Sequence, residues 1–138
     1  FSRSPDGVHG VPGDNLGIGG THRDGVALGK LIFFNGDQQN QMLAGTTEIV
    51  PKTWNHVVLI RDGQKVAAHL NGNPQPELSG TALPTVPKDC SDIFIGGRGD
   101  NLFNFHGKIC EAAVYDRPLS PDEIAAHYNA AAVAGVES

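Results

Sequence analysis

The stretch from Trp54 to Gly72 constrains this chain more than any other. Trp54–Arg61 is an apolar run, Asp62-Gly63-Gln64-Lys65 carries turn chemistry, Val66–Leu70 resumes the apolar pattern, and Asn71-Gly72 ends it. Val57 and Leu59 fall on one face of the first run; Val66, Ala68 and Leu70 fall on one face of the second. A period of two on both sides of a tight turn predicts an antiparallel hairpin with one buried face. The 18 Gly and 9 Pro among 138 residues suit more of the same, short strands joined by many turns.

Elsewhere the pattern is weaker but of the same kind. Residues 1–27 are rich in turns, with short strands expected near Phe1–Arg3 and Leu16–Gly19. Leu31-Ile32-Phe33-Phe34 runs into Asn35-Gly36, a hairpin signal that predicts an antiparallel return over Gln38–Ala44. Thr46–Val50 reads as a further short strand closed by Pro51. Residues 73–89 hold Pro74, Pro76, Pro84 and Pro87, and are expected to form a long rim loop because proline cannot join a ladder interior. Ile93–Ile95 and Phe105–Tyr115 are the last expected strands. One helix is predicted, from about Pro121 to Ala132. Ser120 is its N-cap, Pro121 takes the first turn, Glu123 completes a capping box, and Leu119 and Ile124 form a hydrophobic staple. Ile124, Tyr128 and Ala131 make its apolar stripe. Strands and helices do not alternate, which excludes a parallel α/β sheet.

The chain length fits one domain, 1–138, expected to be a module or fragment of something longer, since it starts at Phe1 without Met or signal peptide. A net charge of −5 with scattered Lys and Arg gives no basic stripe for nucleic acid. No apolar stretch approaches the roughly 18 residues that cross a bilayer.

Three ordered segments carry a family resemblance. Trp54-Asn55-His56-Val57-Val58, with Arg61-Asp62-Gly63 and Leu70-Asn71-Gly72, resembles a W-x-H-V strand and its hairpin. Ile93-Phe94-Ile95-Gly96-Gly97 is similar to an "lyIGG" strand. Phe105-His106-Gly107-Lys108-Ile109, Glu111–Tyr115 and Asp116-Arg117-Pro118-Leu119-Ser120 resemble the closing strand and helix entry. The family is the laminin G-like jelly rolls of the concanavalin A-like lectin and glucanase superfamily, and the resemblance covers about residues 54–128. It implies an all-β, two-sheet antiparallel jelly-roll sandwich with one short C-terminal helix, in an extracytoplasmic protein: periplasmic, cell-surface or secreted. Two departures stand out. Cys110 replaces the family's Asp before Glu111, and a strand region that the family has ahead of the position of Phe1 is missing. An incomplete N-terminal edge, together with apolar groups on both faces of Leu31–Phe34, predicts a covering partner, domain or subunit there.

Catalytic residues are not expected. Glucanase relatives pair carboxylates as E-x-D-x-x-E or E-x-D-x-E on one strand face, and no such spacing occurs here. Glu111 and Asp116 are five apart and would face opposite sides of a strand. No G-x-S-x-G elbow occurs either. The six His are dispersed without H-x-x-x-H spacing. His56 is expected to hydrogen-bond neighbouring backbone, and His69 to lie near solvent. Calcium is the one cofactor considered. Asp14, Asn15 and Asp100 are hard ligands on rim loops, against the alternative that they simply make turns. Arg98-Gly99-Asp100 is also an integrin-type tripeptide, a coincidence that three common residues readily produce.

If Ile93–Ile95 and Phe105–Tyr115 pair around their loop, opposed residue numbers sum to about 200 and Cys90 lands opposite Cys110, near disulfide range. The alternative is two buried thiols. The function expected from the resemblance is a non-catalytic recognition module for a glycan or protein ligand. Arg98, Asp100, Asn101, Phe103 and Phe105 are its candidate ligand residues, with Trp54 assigned to the core. The other reading is a structural, protein–protein assembly domain.

Overall fold

A computed structural model describes residues 1–3, 13–21, 27–35, 42–82, 92–99 and 101–133. Eight strands and one helix lie within them: β1 (Ser2–Arg3), β2 (Asp14–Ile18), β3 (Leu31–Asn35), β4 (Leu43–Ala44), β5 (Val57–Asp62), β6 (Lys65–Leu70), β7 (Leu78–Thr81), β8 (Ile93–Phe94) and α1 (Pro121–Val133). They form two antiparallel sheets, a five-stranded one in the order β4-β3-β2-β1-β8 and a three-stranded one in the order β5-β6-β7. This is the jelly-roll sandwich.

The Trp54–Gly72 hairpin forms as its pattern dictates. Asp62 pairs with Lys65 at the turn and Val57 with Leu70 at the open end. Gly63 has φ +58, and Asn71 and Gly72 are both at positive φ, the signature of an Asn-Gly reversal. Val66, Ala68 and Leu70 point into the sandwich and meet Leu31 and Phe33 of β3, Leu78 of β7 and Ala82. Phe33 and Ala68 are 1% and 0% exposed. Burying a side chain the size of Phe33 or Leu31 contributes about 1.5–3 kcal/mol.

Leu31–Phe34 divides by the strand period. Leu31 and Phe33 face the core, while Ile32 and Phe34 are only half-buried on the other face. At one end of the interior the core turns polar. Asp14 and Asn35 pair across β2 and β3, the Asn35 carboxamide donates to Asp14 Oδ1 at 2.7 Å, and Arg61 of β5 reaches the same oxygen at 3.7 Å.

Four expectations are corrected by the strands. Thr46–Val50 forms no strand, because the Glu77 carboxylate takes the first two of its backbone donors. Thr46 and Thr47 N–H both donate to Glu77 Oε1 at 2.6 Å, and Thr47 Oγ1 donates to Oε2 at 2.9 Å. The expected rim loop contains β7, whose four residues sit between Pro76 and Pro84 and hold no proline. Segment 105–115 forms no strand. Among the described residues only Phe105 N–H bonds back, to Gly96 O at 2.8 Å, and Glu111 at φ +54 cannot continue an extended ladder. His69 is buried rather than near solvent, with Nδ1 2.9 Å from Asn73 O, because the 71–77 reversal folds back over that end of β6.

The helix starts as read. Ser120 N–H donates to Glu123 Oε2 at 2.8 Å, and Glu123 N–H donates to Ser120 Oγ at 3.2 Å. Arg117 adds two bonds to the same carboxylate, at 2.9 and 2.6 Å. The Arg117 guanidinium, then the Ser120 backbone, hold Glu123 down at about 2. Leu119 and Ile124 are buried, and Tyr128 packs on the Asn71-Gly72 reversal so closely that a Cβ on Gly72 would stand 2.7 Å from its ring.

Candidate functional site

The loop between β8 and the 105–117 segment gathers four of the five candidate ligand residues. It closes at its base through Phe105 N–H to Gly96 O, and inside it Asn101 N–H donates to Arg98 O at 3.0 Å. Ser2 Oγ donates to Gly97 O at 3.1 Å, tying the loop to β1. Within this frame the Arg98 guanidinium lies over the Phe103 ring, 5.2 Å from its centroid. Phe103 is 63% exposed. Asn104 Nδ2 donates to Asn101 Oδ1 at 3.1 Å and bridges the two carboxamides. Phe105 is 44% exposed, its ring edge against Gly107. Asp100, the fifth candidate, lies outside the described residues.

The backbone is strained where it presents the ring. Phe103 sits at φ +53 and Asn101 at φ +59. Asparagine tolerates that region, but for a bulky aromatic side chain it costs on the order of 1–2 kcal/mol. Asn104 was not singled out in the sequence, although an Asn three residues after Asn101 is a readable local hydrogen-bonding pattern.

Of the calcium residues, Asp14 and Asn15 do not converge, and Asp100 lies outside the described residues. Asp14 and Asn15 are neighbours on β2, so their side chains leave opposite faces. Asp14 is buried with Asn35 and Arg61, and the Asn15 carboxamide turns back to donate to Gly13 O at 3.0 Å. Among the described residues no three His, Cys, Asp or Glu converge on a common point. Cys110 stands as an exposed free thiol rather than in the expected bridge, and Cys90 lies outside the described residues. The ladder that would have aligned the two stops at the Phe105–Gly96 bond.

Two aromatic and imidazole assignments change. Trp54 is 38% exposed and is not part of the core, because β5 begins only at Val57 and the preceding residues lie outside the sheet. The His56 ring does not bond neighbouring backbone. Its Nδ1 is buried without a partner among the described residues, and the ring tilts against Tyr128 at 6.0 Å.

Several carboxylates have structural employment. Asp14 serves Asn35 and Arg61, Glu77 binds Thr46 and Thr47, and Glu123 binds Arg117 and the helix start. A second concavity, a shallow groove of about 370 Å³, opens on the outer face of the three-stranded sheet. Its floor is Ile60, Ala67, Ser79 and Gly80, with Asp62 and Lys65 at the rim. It has no aromatic ring, and the β8 loop does.

The sandwich and its loop-borne surface define a jelly-roll domain. A family profile described as the concanavalin A-like lectin/glucanases superfamily, laminin G-like branch, matches residues 13–125, and the chain belongs to that family. No curated protein matches the chain in sequence. A crystal structure of part of an S-layer domain-containing protein from Clostridium thermocellum is similar at 20% identity and a TM-score of 0.48, over 93% of this chain and 61% of that one. The chain therefore spans about three fifths of that relative. Among the described residues no helix is long and apolar enough to cross a membrane.

Proposed function

We propose that the chain is a non-catalytic, extracytoplasmic recognition module that binds a glycan at the loop formed by residues 96–105. The observation that carries this reading is Phe103. Its ring lies against the Arg98 guanidinium, is 63% exposed, and is carried on a backbone conformation that a bulky residue avoids. An apolar ring face offers stacking to the C–H face of a pyranose, and the neighbouring Asn101 and Asn104 carboxamides offer hydrogen bonds to its hydroxyls. Backbone strain concentrates at binding sites, where it pre-sets geometry. The family contains both lectins and glucanases, and three carboxylates engaged in structural contacts favour binding over hydrolysis.

A glycan array followed by calorimetry on the best hit tests this. Phe103→Ala is expected to weaken binding about tenfold or more, ~1.4 kcal/mol. An array flat for the parent chain removes the glycan reading.

A second reading, a protein–protein assembly domain, is favoured by Ile109, Val114 and Tyr115, which are 51%, 69% and 49% exposed on one unpaired segment. Self-association in sedimentation velocity that disappears in Val114→Lys would establish it in place of the first.

A further inference from the structure

The junction between α1 and the β5–β6 hairpin holds a pair of histidines that the proposed binding site does not use. His56 lies just before β5 and His127 in the middle of α1, separated by about half the chain in sequence. Tyr128, the next helical residue, sits in the notch left by Gly72 and lays its ring against His56 at 6.0 Å. His127 stacks on Tyr115 at 5.6 Å with 27° between the rings. The two faces of one helical turn thus grip different parts of the chain, the hairpin end and the segment that leads down from the 96–105 loop.

The chemistry of this grip depends on charge. His56 Nδ1 is buried and has no acceptor among the described residues. The neutral ring tolerates that as an unpaired acceptor, whereas protonation creates a buried N–H with nothing to receive it. The titratable groups that face His56 are His127 and Tyr128, both from α1; the hairpin faces it with the uncharged Asn71, whose Oδ1 accepts the His56 backbone N–H at 2.9 Å. No carboxylate among these neighbours offsets an imidazolium. The nearby Glu123 is already bound to Arg117 and Ser120.

We propose that this junction is an acid-sensitive latch, in which protonation of His56, beside the α1 residues His127 and Tyr128, loosens α1 from the β5–β6 hairpin. Burial, and then repulsion from His127, push the His56 imidazole below its usual range. Its contribution is therefore fully present above the unfolded value of 6.5 and is lost as pH falls through the lowered folded value. The capping box does not switch in that window, because Glu123 titrates near about 2.

Amide exchange of residues 121–133, expressed as protection factors from about pH 7.5 to about pH 5, reads the latch in the intact chain. Protection is expected to fall several-fold across this range in the parent and to stay flat in the His56→Gln/His127→Gln double variant. His106→Gln, an exposed change elsewhere, should keep the parent's step. If the double variant fails to fold, the imidazole titrations seen by NMR decide instead. His56 should titrate below 6.5, and His127→Gln alone should move it upward. A flat parent profile, an unchanged step in the double variant, or a His56 titration at or above the ordinary value overturns the proposal.

Discussion

The β5–β6 hairpin and the 96–117 segment obey opposite rules. In the hairpin every local preference agrees with the fold. Val66, Ala68 and Leu70 fall on the inward period, glycine and asparagine take positive-φ turn positions, and six residue pairs stand in register. In the 96–117 segment preferences are violated together. Phe103 and Glu111 adopt left-handed backbone, and Leu102, Phe103, Phe105, Ile109 and Val114 are exposed. A region where the rules agree stabilises the domain; a region where they break together is a candidate for contact with something else.

The contrast breaks first in the core. Phe33→Ala removes the largest fully buried side chain and should cost about 3–5 kcal/mol in urea unfolding, whereas Val114→Ala, 69% exposed, should cost less than about 0.5 kcal/mol. Equal losses would mean that the segment is packed in solution.

Gly72→Ala should cost about 2 kcal/mol, since φ +73 and the Tyr128 ring both oppose a Cβ. The companion Gly63→Ala meets no atom within 4 Å and should lose only the φ penalty. Their difference in midpoint measures how tightly α1 sits on the hairpin.

Glu77→Ala should cost about 1 kcal/mol, a charge-assisted value reduced for its exposure. Burial raises the Glu77 carboxyl, but the hydrogen bonds from Thr47 and Thr46 outweigh it and hold it below its usual range. Its contribution is present above about pH 4.5 and is lost as pH falls through the lowered value. Acid titration of stability in the parent and Glu77→Gln should therefore converge at low pH.

The smallest expected stability change is the sharpest test. Phe103→Asn suits φ +53 better than phenylalanine does, so the melting temperature should hold or rise by the equivalent of about 0.5–1 kcal/mol. Glycan affinity should fall in the same protein. A variant that loses stability instead shows Phe103 to be structural.

How much of this was legible follows the same divide. The hairpin, the helix and its capping box, and the β3 core face could be read because their signals lie within a few residues of one another. The Glu77 clip could not, since it joins residues some 30 apart in sequence and nothing local marks Thr46–Val50 as a poor strand. Nor could the pairing of Asp14, a candidate calcium ligand with Asn15 and Asp100, with Asn35 and Arg61 be read, for the same reason. The residue types suit a metal, but the pleat that separates Asp14 from Asn15, and the cross-sheet arginine, exist only in three dimensions. Trp54 and His69 exchanged their expected places because burial of a strand's outer face depends on which loop returns over it. Phe103 was legible as an aromatic in a loop, but its strained backbone was not.

The clip between Glu77 and Thr46–Thr47 also has a mechanical meaning. It joins the ends of β4 and β7, where Leu43 touches Gly80, and makes that seam the spine of the sandwich. The β8 edge and its loop lie on the far side of the five-stranded sheet, like the fore-edge of a book. A load applied at Phe103 therefore enters the five-stranded sheet at the edge opposite the one that the Glu77 carboxylate clips with three short hydrogen bonds.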